Sequence, residues 1–264
     1  MYENIIYEAQ DGVCRITLNR PQVYHALNRT LIHEITTAVE TTGTDDSVRV
    51  VVITGTGDRA FCSGADLKEG FAGAATGDTI NLGESLRTGY NPMIRAIRNL
   101  PKPVIGRING VAAGAGCSLA LACDVVICTE DAYFSQIFVN IGLVPDAGST
   151  FFLPRLVGPQ RAFELCSTGR RVYGPEAAQI GLVGRSVPAA DLDTAVDQVV
   201  RQYVTAPTRA IGAMKLMLNQ SLYSNLDHQL EREADNQDKL GRSADAAEGI
   251  GAFLMKRPAN FSGR

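Results

Sequence analysis

A chain of 264 residues with 45% hydrophobic side chains can bury a substantial core, in one large domain or two small ones. Its formal net charge of −3, without any run of Lys and Arg, excludes the electrostatic footprint of a nucleic-acid or anionic-membrane binder. Its six cysteines (Cys14, Cys62, Cys117, Cys123, Cys128 and Cys166) form no CxxC pair and have no histidine at ligand spacing, so they read as reduced small residues and no metal is expected.

In chain order, the opening MYENIIYEAQDG has no basic segment followed by an apolar run, so no signal peptide is expected and the cytoplasm is the default location. VCRITLN (13–19) and VRVVVITG (48–55) are β-branched runs that predict strands. Between them NRTLIHEITTAVE places Leu31, Ile35 and Val39 four apart behind an Asn28 cap, which predicts a helix. KPVIGRING (102–110) predicts another strand, followed by the glycine-rich VAAGAG, a short helix CSLALAC and a returning strand DVVICT. The stretch 111–128 is the least polar of the chain, but Asp124 and two glycines interrupt it, so no membrane span is expected. Strands alternating with helices predict an α/β core of ββα units. After about residue 158 the pattern becomes one of successive helices, ending with SADAAEGIGAFLMKR behind a Ser243 cap. The reading is a core over 1–200 and a helical region over 201–264 whose apolar faces serve assembly.

Several familiar sites are absent: there is no GxSxG elbow, HExxH or Walker lysine, and GAGCSL lacks the third glycine of a dinucleotide fingerprint. The three histidines, His25, His33 and His228, read as surface or helix residues rather than bases. What remains is two junctions rich in small residues, AFCSGADL (60–67) and GVAAGAGCS (110–118), whose backbone N–H groups can converge on a developing oxyanion. Taken singly, each also fits a tight turn. A lone acid, Asp146, stands in IGLVPDAGSTFFLPR (141–155), where it can cap the following helix or move a proton.

Taken together, ITLNRP, VVVITGTGDRAFCSGADLKE, KPVIGRINGVAAGAG, LALACDVVICTEDAYF and NIGLVPDAGSTFFLPRLVG resemble, in that order, the enoyl-CoA hydratase/isomerase (crotonase) family over nearly the whole chain. The end of the chain, LEREADNQDKLGRSADAAEGIGAFLMKRPANFSG, is similar to the PaaG-like ring isomerases of phenylacetate breakdown. The resemblance implies a crotonase (ClpP-like) fold of repeated ββα units with a C-terminal trimerisation region. It implies a homotrimer or dimer of trimers and an acyl-CoA thioester substrate, the coenzyme A being part of that substrate and no separate cofactor being needed. Carried over by position, the oxyanion donors are the N–H groups of Ser63 and Ala115, with Gly116 the alternative register. Ser63, Ala65, Asp66 and Leu67 fall beside the coenzyme A, with Phe253 and Lys256 of the last helix as further contacts of this or a neighbouring subunit.

The departures matter most. The two glutamates with which hydratases activate water fall here on Ser118 and Phe138, neither of which exchanges a proton at neutral pH. Asp146 is left, where the isomerising members with a similar GLxPDxG segment carry an aspartate. The implied activity is therefore migration of a double bond from 3-enoyl-CoA to 2-enoyl-CoA, or rearrangement of an epoxidised aromatic thioester, with Asp146 as proton shuttle. A weak or generic hydratase and a catalytically silent acyl-CoA-binding or RNA-binding protein are the alternatives. A dehalogenase would need a histidine base, and none occurs between residues 34 and 227. The stretch 76–100 is expected to shape the acyl pocket.

Overall fold

The computed structural model describes residues 2–70 and 81–264. β1 (Ile5–Gln10) and β2 (Val13–Leu18) form an antiparallel hairpin across Asp11 and Gly12, both at positive φ as a two-residue turn between twisted strands requires. α1 (Arg29–Thr44) begins at the predicted cap, where Asn28 Oδ1 accepts the Leu31 N–H at 2.9 Å. It turns Leu31, Ile35, Ala38 and Val39 into the core.

A unit of two strands and a helix then repeats. β3 (Val50–Gly55) and β4 (Ala60–Cys62) lead to α2 (Leu67–Gly70). After α3 (Leu82–Ser85), a π-helical turn (Leu86–Tyr90) and α4 (Asn91–Asn99), β5 (Val104–Ile108) and β6 (Val111–Ala113) lead to α5 (Ala115–Ala122). β7 (Val125–Thr129) and β8 (Tyr133–Ser135) lead through a 3-10 turn (Ile137–Ile141) to α6 (Ser149–Val157). α7 (Pro159–Thr168), β9 (Val172–Tyr173), α8 (Gly174–Gln179), β10 (Arg185–Val187) and α9 (Leu192–Val204) complete the core, and α10 (Thr208–Ser221), α11 (Leu226–Leu240) and α12 (Ala244–Leu254) follow. The segment after residue 158 is thus not purely helical, because β10 joins β7 in parallel and β9 joins β8 antiparallel.

The first strand of each unit enters a six-stranded sheet in the order β1-β2-β3-β5-β7-β10, and the second enters a four-stranded sheet in the order β4-β6-β8-β9. β3 is buried along its whole length, as a central parallel strand covered on both faces must be. One apolar layer joins the two sheets to the helices, and a second packs Leu192, Val196 and Val200 of α9 on Val50, Val52, Ile105 and Ile127. Because β4, β6 and β8 are parallel neighbours, their carboxyl ends lie side by side. The connections that leave β4 and β8 carry Ala65 and Asp146, and Ala115 opens the helix that follows β6.

α10 is locked to this core by Lys215, whose buried ammonium reaches Asp124 at 2.7 Å and the carbonyl oxygens of Ile97 and Lys102. Ser243 Oγ accepts the Ala246 N–H and starts α12 as predicted. The C-terminal helices expose Met214, Leu218, Leu222, Tyr223, Leu226, Leu230 and Phe253. All six cysteines are free thiols; five are buried and Cys166 is partly so. Among the described residues no helix is long and apolar enough to cross a membrane.

Candidate active site

The loop after β4 is fixed from the segment before α1. Ser63 N–H donates to Tyr24 O at 2.9 Å and Asp66 N–H to Leu27 O at 3.0 Å, while Leu27 N–H donates back to Gly64 O at 2.7 Å. The Arg20 guanidinium pairs with Asp66 at 3.0 Å, both side chains being 14% exposed. Gly64 N–H lies against the Cys62 sulfur, and burial pushes that thiol up to about 12. Three of the four successive N–H groups are thereby committed, and the one without an acceptor among the described residues is that of Ala65, which is exposed. The expectation that Ser63 supplies the donor is corrected on these grounds: its N–H is held by Tyr24 O, and the free donor lies two residues on.

His25 accounts for part of this rigidity. Its Nδ1 accepts the Arg20 N–H at 3.0 Å, so its proton sits on Nε2 and is directed at Thr56 O, 3.1 Å away. It is buried in a turn at φ 57°, unlike His33 and His228, which are exposed on α1 and α11 as expected. Burial lowers its proton affinity, and it stays a neutral brace.

The second loop meets the first backbone to backbone. Gly64 has φ +103°, and a Cβ there would lie 2.8 Å from Ala113 O and 3.4 Å from Ala115 N. A Cβ on Gly116 would lie 2.2 Å from Cys62 O, so Gly116 serves this close approach and Ala115 is the residue beside the Gly64 turn. Gly114 takes the helix N-cap position without a side-chain cap, and the Ala115 N–H at the positive end of the fully buried α5 has no acceptor among the described residues. Phe138 is buried, and its ring tip comes within 3.9 Å of where a Cβ on Gly114 would stand. Its place beside the glycine loop is apolar.

Asp146 lies in the third unit, between its 3-10 turn and α6. Its carboxylate does not cap α6, whose N-cap is Gly148 with no side-chain hydrogen bond. Oδ1 is shielded from solvent and has no hydrogen-bond partner among the described residues. Burial pushes the carboxyl up from its ordinary 3.8 to about 6. The loop is tied to the glycine loop through Ser118, whose Oγ donates at 3.0 Å to Asp146 O and also lies 3.3 Å from Gly114 O.

Two groups escaped the sequence reading. Tyr90, from the stretch expected to shape the acyl pocket, is buried with its hydroxyl 3.4 Å from Leu27 O. Burial and the neighbouring Asp146 carboxylate hold its phenol in the protonated form. The part of that stretch from 76 to 80 lies outside the described residues. The second is Gln136, buried beside Ser149. Of the expected coenzyme A contacts, Leu67 opens α2 exposed and Asp66 spends its carboxylate on Arg20. Phe253 and Lys256 stand exposed at the far end of the chain, and no described hydrogen bond or ion pair joins them to the glycine loops. Among the described residues no cluster of acids, cysteines and histidines could hold a metal.

The enoyl-CoA hydratase/isomerase family model matches residues 8–264. A Rhodobacter capsulatus protein called a probable enoyl-CoA hydratase is 44% identical, covering 100% of this chain and 99% of its own. The 1,2-epoxyphenylacetyl-CoA isomerase of Escherichia coli is 39% identical over the full length of both. A crystal structure of an enoyl-CoA hydratase from Bacillus anthracis superposes with a TM-score of 0.91 at 32% identity, covering 99% of this chain and 100% of that one.

Proposed function

The chain belongs to the enoyl-CoA hydratase/isomerase family and has its crotonase fold, and within that family we propose that it is an acyl-CoA isomerase with Asp146 as its single proton shuttle. The observation that carries the reading is a buried Asp146 carboxylate oxygen without a partner among the described residues, on a residue whose backbone carbonyl is joined to the glycine loop through the Ser118 hydroxyl, while the two hydratase acid positions are Ser118 and Phe138. The thioester oxygen would accept the N–H groups of Ala65 and Ala115. Removal of a proton then gives a dienolate held by two preorganised donors. The same carboxyl returns the proton two carbons away, so the double bond moves without water. An epoxidised aromatic thioester could use the same site for ring rearrangement, as the name of the Escherichia coli relative indicates. The apolar faces of α10–α12 support assembly into trimers or pairs of trimers.

Hydration is the second reading, favoured by the name of the Rhodobacter relative. Against it stands the chemistry of the two positions: Phe138 offers a water molecule no acceptor and Ser118 spends its hydroxyl on backbone carbonyls.

The pH profile tests the isomerase. Asp146 must be ionised to take the first proton, and its carboxyl is raised to about 6. The kcat/KM for a 3-enoyl thioester is therefore expected to rise about tenfold per pH unit below that value and to level off above about pH 7. A profile flat from pH 5 to 8 would remove Asp146 from the proton transfer.

A further inference from the structure

Directly after Asp146 the backbone takes two consecutive left-handed residues, Ala147 at φ 48° and Gly148 at φ 87°. For a buried alanine this is a costly conformation, and something must hold it. The holder is a chain of buried polar side chains. Gln136 Nε2 donates to Ser149 Oγ at 2.9 Å, Ser149 and Ser118 share a hydrogen bond of 2.7 Å, and Ser118 Oγ lies 3.0 Å from Asp146 O. Ser118 and Ser149 are 0% exposed and Gln136 is 3%. Each hydroxyl has one hydrogen. Ser118 faces two carbonyls, which can only accept, so its hydrogen goes there and Ser149 must donate to Ser118. All three bonds then run one way, from Gln136 to the Asp146 carbonyl, and each polarises the next. Ser149 N–H gives the same carbonyl a second donor at 3.0 Å.

Resting on the isomerase reading, we infer that Ser118, with Ser149 and Gln136 behind it, is the positioning device of the reaction: it fixes the Asp146 peptide and with it the place of the carboxylate, to which no described residue donates. These residues touch no substrate. Their effect is on where the carboxylate sits and how tightly it holds a proton. Without the Ser118 hydroxyl, the turn at Ala147 can relax and the carboxylate can turn toward water or a neighbouring N–H.

Ser118→Ala is expected to lower kcat for 3-enoyl isomerisation by about 10- to 100-fold, leave KM within about twofold, and move the acidic limb of the kcat/KM profile to lower pH. Ser149→Ala should act in the same direction, and the double variant should be no worse than Ser118→Ala, because both sit on one chain of bonds. If Ser118→Ala does not fold, Ser149→Ala supplies the same readouts. Lower thermal stability with kcat and the pH limb unchanged would make the chain merely structural and overturn the inference. Asp146→Asn, run alongside, separates the two claims: full activity in that variant sinks the isomerase reading, whereas its loss together with an unaffected Ser118→Ala sinks only the positioning role.

Discussion

Asp146→Asn is expected to slow double-bond migration by about 10²–10⁴-fold, the usual worth of a positioned acid–base group, and at the same time to make the folded protein more stable at neutral pH. Both effects have one cause. The carboxyl that titrates near 6 in the fold and at about 3.8 as an ordinary aspartate binds its proton more tightly when folded. Its contribution to stability is therefore complete below pH 3.8 and is lost as pH rises through 6. At pH 7 the buried charge costs up to about 3 kcal/mol, since each unit of displacement corresponds to about 1.4 kcal/mol. Asparagine keeps the shape and removes the charge. Denaturant unfolding of both proteins at several pH values checks this: the variant should lead at pH 7, and the gap should close toward pH 4. Equal stability at pH 7 would mean that the carboxylate is well solvated and has no special proton affinity.

Gly64→Ala tests the other half of the site. At φ +103° an L-side chain is strained, and its Cβ would stand 2.8 Å from Ala113 O, a backbone atom of the neighbouring loop that cannot swing away. The two loops must then separate, which pulls the Ala65 and Ala115 N–H groups off a common target. Losing one oxyanion donor costs about 10²–10³ in kcat, and that is the expected fall, with about 1–3 kcal/mol of stability lost to the forced shift. Steady-state kinetics and thermal unfolding of the purified variant measure both. An unchanged kcat would show that the thioester oxygen is held elsewhere.

Much of the fold, and the segments that make up the candidate site, were legible in the sequence. Asn28 and Ser243 announced their helices, and β2, β3, β5 and β7 were visible as β-branched runs. The glycine loops and the isolated Asp146 stood out by composition alone. What escaped were the strands of two or three residues, too short to show any period: β4, β6, β8, β9 and β10. β1 escaped as well, although Asp11-Gly12 beside the strand at 13–18 is a hairpin signal. The donor at the first loop was misread for a different reason. Which N–H remains free along 63–66 is decided by Tyr24 and Leu27, about forty residues away in the chain, and no local pattern in SGAD carries that information. Ser118 was noticed only for the acid it lacks. Its partners Ser149 and Gln136 are brought to it by the packing of α5 on α6 and by the end of β8, which only the fold discloses.

The measurement that bears most directly on Asp146 as a water-independent proton shuttle is the mass of the product formed from a 3-enoyl-CoA in heavy water. The expected product is the 2-enoyl thioester, heavier than the substrate only by exchanged deuterium and formed about 10²–10⁴-fold more slowly in the Asp146→Asn sample. A product heavier by a whole molecule of heavy water would make the enzyme a hydratase and contradict the single-carboxylate mechanism.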